Sequence, residues 1–185
     1  MKITSMDLPE VLLIEPGRFG DARGYFVETW HQERYAAAGI KLAFLQDNLS
    51  RSAHGILRGL HLQHPNAQGK LVYVLDGEVF DVAVDVRVGS PNFGKWTGAH
   101  LSSEDHRQLW IPPGFAHGFC VTSETAMFAY KCTALYSVAD ELGVAWNDPA
   151  LAISWPVAEP RLSAKDAALP RLAELDSARL PRYHG

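Results

Sequence analysis

The feature that most constrains this chain is an alternation of side chains with a period of two residues in its middle. In the segment EVFDVAVDVR (78–87), one face carries Phe80 and three valines, and the other face carries Asp81, Ala83 and Asp85. Because successive side chains of a strand point to opposite sides, the two faces of this segment meet different surroundings. The pattern predicts a β-strand that separates two distinct environments.

Further short segments have strand character and are separated by Gly, Pro, Asn and Asp. These segments are 11–16, 24–30, 43–51, 56–63, 70–75, 94–102, 108–113, 116–123 and 126–136. A succession of short strands broken by turn residues is typical of an antiparallel barrel or jelly roll. The chain is therefore predicted to form its core from sheets.

Turn and helix signals complete the predicted architecture. Asp76-Gly77 predicts a tight hairpin between the two strands that flank it. Helical patterns are confined to 32–39, which ends in glycine, and to 163–175, which begins at a serine cap and is broken by Pro170. The predicted fold class is all-β, an antiparallel jelly-roll barrel with a few short helices.

Composition excludes several classes of protein. The 185 residues, 47% of them hydrophobic and 21% charged, fit one ordinary folded domain spanning 1–185. The net charge of −4 and the scattered basic residues argue against nucleic acid as a partner, although small anionic ligands stay compatible. No segment approaches the roughly 20 apolar residues of a membrane span, and the first residues lack a signal-peptide core, so we expect no membrane partner and a cytoplasmic location.

Cys120 and Cys132, each within an apolar run, are expected to be buried thiols.

A metal-binding motif is present only in part. Cupins, which are small jelly-roll barrels, hold a metal ion with a His-x-His pair, a carboxylate and a third histidine in a Pro-x-Gly-x-x-His segment. WIPPGFAHGF (110–119) supplies that last histidine as His117, but His61 is followed two residues later by Gln63. The usual cupin spacing before the glycine of the predicted turn reaches Lys70, whose ammonium repels a divalent cation. We therefore expect a cupin-like barrel with no metal ligands and no cofactor.

The residues expected near His61 favour a catalytic role for this histidine over a purely structural one. A lone histidine inside a barrel is as a rule a hydrogen-bonded core residue. Lys70, His117 and Tyr130, however, come from three other predicted strands, and a base, a cation and a phenol in one cavity suit proton abstraction next to a carbonyl. For Tyr130 a core aromatic with a satisfied hydroxyl is an equally good interpretation.

Ordered segments across most of the chain resemble the dTDP-4-dehydrorhamnose 3,5-epimerase family. They are DARGYFVETW (21–30), QDNLSRS (46–52), GILRGLHLQ (55–63), QGKLVYVLDGEVFDVAVDVR (68–87), WIPPGFAHGF (110–119), YKCTALYSVADELGVAWNDPALAISWP (130–156) and LSAKD (162–166). The resemblance, which extends from about residue 7 to residue 172, implies a metal-free, cofactor-independent jelly roll that acts on a dTDP-linked 4-keto-6-deoxyhexose. It also implies a homodimer, to which the N-terminal strand 11–16 is expected to contribute, and the chain is expected to end in a short helical tail.

The resemblance assigns roles to individual residues. His61 would remove the proton at C5 and, in full epimerases, at C3, while Asp166 would orient and charge-support its imidazole. Lys70 would face the C4 oxygen as it becomes an enolate, and Tyr130 would return the proton from the opposite face. Contacts to sugar, base or diphosphate are implied for Arg23, Phe26, Glu28, Gln46, Asn48, Arg58, His117, Glu141 and Lys165.

Two details leave questions for the structure. Strict alternation places Arg58 and His61 on opposite faces of a strand, so bringing both to the substrate predicts a bulge at Gly59. Leu62, Ala134 and Leu135 depart from the residues common in the family, which keeps open a mono-epimerase acting only at C3 or only at C5. From other classes, a metal-dependent cupin oxygenase and a non-catalytic sugar-nucleotide binding module also stay open.

Overall fold

The computed structural model describes residues 1–184 of the chain. Its strands are β1 (Lys2–Ser5), β2 (Leu12–Glu15), β3 (Arg18–Asp21), β4 (Gly24–Val27), β5 (Gln46–Ala53), β6 (Leu57–Gln63), β7 (Lys70–Asp76), β8 (Glu78–Asp85), β9 (Trp96–Ser102), β10 (Gln108–Ile111), β11 (Phe115–Val121), β12 (Thr125–Cys132) and β13 (Glu141–Gly143). The α-helices are α1 (Gln32–Ala37) and α2 (Ala164–Ala167), and 3-10 turns cover Val138–Asp140, Leu172–Glu174 and Ser177–Arg179. The predicted all-β class with a few short helices is confirmed.

Within residues 1–184, eleven strands form two antiparallel sheets with an apolar core between them, and β3 and β4 form a separate two-stranded sheet. The six-stranded sheet has the order β1-β2-β10-β7-β12-β5, and the five-stranded sheet has the order β13-β6-β11-β8-β9. The core joins Phe128 of β12 to Phe119 of β11, whose rings stack with their centroids 4.0 Å apart. This arrangement is the jelly-roll barrel that the sequence predicts.

Strand β8 separates two environments, as its alternation indicates. Val79 and Ala83 belong to the core between the sheets. Val82 and Val84 pack on the other side, in a second cluster that includes Leu172 from the C-terminal part of the chain. Because both faces are covered, Asp81 and Asp85 are completely buried.

The hairpin predicted at Asp76-Gly77 is wrong in its pairing. Strand β7 pairs with β10 and β12, whereas β8 pairs with β9 and β11, so the turn carries the chain from one sheet to the other. Gly77 has φ +79°, and a Cβ there would lie 2.0 Å from the carbonyl oxygen of Thr125. The glycine marks a tight change of direction, but the choice of pairing partner depends on packing between the sheets.

The bulge predicted at Gly59 is confirmed. His61 pairs with His117 and Arg58 pairs with Phe119, so three steps along β6 correspond to two steps along β11. Gly59 has φ +113°, and a Cβ on it would lie 2.6 Å from the carbonyl oxygen of His117. The extra residue turns Arg58 toward the cavity that His61 lines.

Element boundaries differ from the sequence prediction where exposed segments begin or end. The predicted strand 126–136 ends at Cys132, and the residues that follow it form a loop. Strands β1, β3 and β13 were not predicted, because each has only three or four residues and lacks a clear alternation. Both edges of β2 are paired within the chain, so the predicted N-terminal strand offers no free edge to a partner, whereas β1 does.

The cysteines are buried and the helices are short, as predicted from the sequence. Cys120 and Cys132 are free and buried, and burial raises the pKa of the Cys120 thiol to about 11. Within residues 1–184, α1 and α2 are far shorter than a bilayer-spanning helix.

Candidate active site

A cavity with two lobes opens between the sheets, and most of the predicted site residues line it. The lobes, of about 290 and 500 Å³, share His61, Lys70 and Tyr130. The smaller lobe adds Gln46, Asn48 and Glu141, and the larger lobe adds Arg58, His117, Lys165 and Asp166.

His61 and Asp166 form a hydrogen-bonded pair at the centre. His61 lies on β6, and its Nε2 is 2.6 Å from Asp166 Oδ1 at the start of α2. Asp166 is buried, its backbone N–H is capped by Ser163 Oγ, and its second oxygen accepts from Gly59 N at 3.4 Å. Burial alone would raise the pKa of Asp166, but the hydrogen bond with His61 and its neighbours lower it. Asp166 is thus an ionised carboxylate that fixes one ring nitrogen of His61 and stabilises an imidazolium.

A second His–Asp pair lies deeper in the barrel. His117 Nε2 is 2.9 and 3.1 Å from the two carboxylate oxygens of Asp81, which is completely buried. Burial lowers the pKa of His117, and the nearby Lys70 and His61 lower it further, whereas Asp81 opposes the shift. His117 is therefore neutral, and it donates Nε2–H to Asp81.

Lys70 places an ammonium group among these pairs. Its side chain is buried at the start of β7, beside Cys132 of β12. Burial lowers the pKa of Lys70, and the nearby Cys132, Asp81 and Glu141 oppose that shift. In its ammonium form, Lys70 is a desolvated cation that lines the cavity, where a developing oxyanion would be stabilised more strongly than in water.

Tyr130 faces His61 from the other wall of the barrel. It lies on β12 in the six-stranded sheet, whereas His61 lies on β6 in the five-stranded sheet. Burial raises the pKa of Tyr130, and the guanidinium of Arg58 partly offsets the increase. The phenol is therefore protonated near neutral pH, as a proton donor must be.

The polar rim of the cavity is connected by hydrogen bonds and ion pairs. Lys165 Nζ and Tyr136 Oη both contact Glu141 Oε2, at 2.5 and 2.8 Å. Gln46 Nε2 donates to Asn48 Oδ1 at 2.9 Å, while Arg58 donates to Ser52 Oγ. The larger lobe is also lined by Arg161, so Arg58, Arg161 and Lys165 add three basic side chains to Lys70 there.

Three predicted binding residues lie outside this cavity. Arg23 and Phe26 are on the exposed hairpin formed by β3 and β4, and Phe26 is 67% exposed. Glu28 follows the hairpin and pairs with Arg34 of α1 at 2.6 Å. None of these side chains lines the lobes that contain His61 within residues 1–184. Any contact between these residues and a ligand at His61 therefore requires a second copy of the chain or a movement of the hairpin.

The donor set at the cupin metal position does not suit a metal. Gln63 is buried, and its amide groups are occupied by hydrogen bonds to residues 66, 135 and 137. Lys70 supplies a cation, and no group of three or more His, Cys, Asp or Glu side chains is arranged to hold an ion within the described part of the chain.

Sequence reasoning missed three residues of the site. Asp81 was noted only as one face of a strand, although its neighbours Val79 and Ala83 on that face are apolar and a carboxylate among them needs a partner. Gln63 was interpreted as a lost ligand, and Tyr136 fell inside the predicted strand 126–136. A hydrogen bond to a loop, as at Gln63, and a position at the rim of a cavity, as at Tyr136, leave no recognisable pattern in a single sequence.

A jelly-roll barrel whose cavity unites a His–Asp pair, a buried lysine and a tyrosine on the opposite wall defines a cupin-like enzyme for acid–base chemistry. Residues 5–174 match the family model described as dTDP-4-dehydrorhamnose 3,5-epimerase. The chain is 54% identical over 168 residues to the enzyme of that name from Shigella flexneri, covering 90% of this chain and 93% of the relative. The relative of the same name from Pseudomonas aeruginosa is 53% identical, with 95% and 98% covered.

A solved structure gives the same result. The dTDP-6-deoxy-D-glucose-3,5-epimerase from Legionella pneumophila, in complex with dTDP-4-keto-L-rhamnose, superposes with a TM-score of 0.97 at 52% identity, covering 100% of this chain and 99% of that one. The chain belongs to the dTDP-4-dehydrorhamnose 3,5-epimerase family.

Proposed function

We propose that this protein epimerises a dTDP-4-keto-6-deoxyhexose at C5 and C3, with His61 as the base and Tyr130 as the acid. The observation that carries the proposal is the position of these two groups on opposite sheets, facing one cavity. Inversion at a carbon needs a proton to leave from one face and another to arrive at the opposite face. A base and an acid on opposite walls meet that requirement without turning the sugar.

The charges of the cavity support the intermediate step. Loss of the proton next to the C4 ketone gives an enolate whose oxygen Lys70 would stabilise. Asp166 would stabilise the imidazolium that His61 becomes, because it is ionised and bonded to the ring. His117, held by Asp81, would present its other nitrogen to the sugar.

The basic and aromatic side chains at the rim of the cavity are suited to binding the nucleotide part of the substrate. Arg58, Arg161 and Lys165 offer charge-assisted hydrogen bonds to a diphosphate. Lys165 and Tyr136 both contact Glu141, so these two side chains are neighbours. A diphosphate bound at Lys165 would therefore place the base of the nucleotide beside the exposed ring of Tyr136. Flat bases bind such rings by stacking. Gln46 and Asn48 would add amide contacts to the base or sugar.

The proposal includes a homodimer in which the hairpin of β3 and β4 from one subunit reaches the cavity of the other. Phe19, Tyr25 and Phe26 on this hairpin are each more than half exposed, which is a large apolar area to leave in water. A partner would cover these rings and would bring Arg23, Phe26 and Glu28 to a substrate they do not meet in their own subunit. The proposal also places the protein in the cytoplasm, where free cysteines such as Cys120 stay reduced.

Proton NMR in deuterium oxide with the dTDP-4-keto-6-deoxyglucose substrate tests the function. We expect deuterium at both C5 and C3, and no incorporation by His61→Ala, which should still bind dTDP. Label at one carbon only would identify a mono-epimerase. Tight dTDP binding without any exchange would identify a binding module, and undiminished exchange by His61→Ala would remove His61 from the mechanism.

A further inference from the structure

We propose that Gln63 is a positioning residue that fixes the loop 133–137, here called the rim loop, and thereby sets the affinity of the site for the nucleotide. This inference rests on the proposed function, because it assigns the dTDP moiety to the rim. Gln63 follows His61 by two residues on β6, so the strand that carries the base would also anchor the loop that borders the ligand.

The amide of Gln63 bonds to the rim loop with both of its ends. Its Nε2 donates to the carbonyl oxygen of Leu135 at 3.2 Å and to that of Asn66 at 2.9 Å. Its Oε1 accepts from the backbone N–H of Ser137 at 2.8 Å. The side chain is only 4% exposed, so these bonds are made in a desolvated place where losing one leaves a buried polar group unpaired.

Neighbouring residues bond to the rim loop in the same way. Gln68 Nε2 donates to the carbonyl oxygen of Ala134 at 2.8 Å, and Gly69 N donates to Thr133 Oγ1 at 2.8 Å. At positions 134 and 135 it is the backbone carbonyls that are bonded. This explains how Ala134 and Leu135 can depart from the family pattern without disturbing the loop.

The rim loop in turn places Tyr136. Its backbone N–H donates to Gln46 Oε1 at 2.8 Å, and its hydroxyl donates to Glu141 Oε2. Leu135 and Ser137, the two residues bonded by Gln63, flank Tyr136 on either side. Fixing both neighbours, together with the bond of the hydroxyl to Glu141, fixes the direction of the ring, although Tyr136 is 51% exposed.

An amide is the group that this position needs. Gln63 uses two donors and one acceptor, whereas a neutral imidazole has one donor and one acceptor, and a carboxylate has no donor. A histidine, which metal-binding cupins have here, could not make all three bonds. Gln63 is therefore a functional part of the rim and not the remnant of a lost metal ligand.

The test compares Gln63→Leu and Gln63→Glu with the wild type in dTDP binding by calorimetry, in steady-state kinetics and in amide hydrogen exchange. We expect dTDP to bind about tenfold more weakly and KM to rise by a similar factor. We expect kcat to stay within about twofold, because the His61–Asp166 pair is untouched. The backbone N–H of Ser137 should exchange faster in Gln63→Leu.

Gln108→Leu is the matched control. Gln108 is also completely buried, and its amide bonds to Tyr35 Oη and to the carbonyl oxygen of Thr29, away from the cavity. This variant should lose stability but keep the dTDP affinity. An equal loss of affinity in Gln108→Leu would overturn the proposal, and so would an unchanged affinity in folded Gln63 variants or a fall of kcat at unchanged KM.

The proposal can still be tested if Gln63→Leu does not fold or if the protein has no epimerase activity. If Gln63→Leu does not fold, Gln63→Glu has the same shape, and Gln68→Ala removes a neighbouring bond to the rim loop; unchanged dTDP affinity in both would overturn the proposal. Binding and amide exchange need no turnover. A wild-type protein without epimerase activity would refute the proposed function, and the exchange of Ser137 would still decide whether Gln63 fixes the rim loop.

Discussion

At the scale of single residues, each of three carboxylates around the cavity lies beside a hydrogen-bond or ion-pair partner. Asp166 bonds to His61, Asp81 bonds to His117, and Glu141 pairs with Lys165. A buried carboxylate without such a partner would cost several kcal/mol. The pairing with His61 also keeps Asp166 ionised, whereas it is burial, opposed by Asp81, that keeps His117 neutral.

Replacing Asp166 with Asn should lower kcat by about 100-fold or more, within the range of general-base catalysis. The amide keeps the size of the side chain but removes the charge that stabilises the imidazolium of His61. The rate of deuterium incorporation at C5 measures the effect. Ser163→Ala, which removes only the cap on Asp166 N, should cost far less, and an Asp166→Asn rate within threefold of wild type would contradict the role.

The alkaline limb of the kcat/KM profile should report Lys70. If its ammonium stabilises the enolate, activity falls as pH rises through the pKa of Lys70, which burial has lowered from the usual range. Tyr130 does not account for such a fall, because its pKa is raised. Asp81→Asn removes a negative charge that raises the pKa of Lys70, so we expect the limb to move to lower pH.

A control at the surface separates this effect from a general change in charge. Asp105 pairs with Arg107 in a partly exposed position outside both lobes, and Asp105→Asn should leave the profile unchanged. A profile of Asp81→Asn identical to that of the wild type, or shifted to higher pH, would count against Lys70 as the stabilising cation.

At the scale of elements, the contact between β6 and β11 decides the geometry of the site. Gly59 and Gly118 face each other there, and a Cβ on either would come within 2.7 Å of the opposite backbone. This close approach holds the bulge and so brings Arg58 and His61 to one cavity. The pairing of the strands therefore overrides the alternation that would separate these two side chains.

Gly59→Ala should destabilise the fold by about 3 kcal/mol or more, because it combines a left-handed φ with a backbone clash. Gly39 is the matched control, since its φ is +98° but nothing lies within 4 Å of a Cβ built on it. Gly39→Ala should cost only about 1–2 kcal/mol. Urea unfolding measures both, and equal costs would show that the clash at Gly59 is relieved.

At the scale of the whole molecule, the chain consists of a barrel and an arm, and the arm is the hairpin of β3 and β4. Among the described residues 1–184, the two strands of the arm pair with each other and with no other strand, forming a separate two-stranded sheet. Tyr25 on the arm contacts His106, with ring centroids 4.7 Å apart, and Arg18 lies over the ring of Tyr25. The contact with His106 holds the arm beside its own barrel, while Phe19 and Phe26 stay exposed.

Mixed dimers test whether the arm acts on the other subunit. Arg23→Ala and His61→Ala should each be nearly inactive, but subunits unfolded together and refolded should recover up to about a quarter of wild-type activity, because half of the dimers then contain one intact site. A mixture of Asp166→Asn and His61→Ala is the control and should recover nothing, since both changes lie at one site. No recovery in the first mixture would place Arg23 in its own subunit's site or outside any site.

The class of fold and most of the candidate site could be predicted from the amino-acid sequence alone. The period of two, the turn residues and the scarcity of helix signals specify strands because each is a local property of the chain. The resemblance of ordered segments identified His61, Lys70, Tyr130 and Asp166, and the structure brings all four to one cavity. The substitution of Gln63 and Lys70 at the metal positions was also visible in the sequence.

The pairing of the strands and the partners of the buried polar groups could not be predicted in this way, because they depend on how distant segments pack together. The turn at Gly77 had the sequence of a hairpin, yet it joins two sheets because β7 and β8 find their partners elsewhere. Asp81 and Gln63 acquired roles only when residues 36 and 74 positions away came within hydrogen-bond distance. Such bonds depend on where the sheets pack, and no local pattern in the sequence encodes a contact between distant segments.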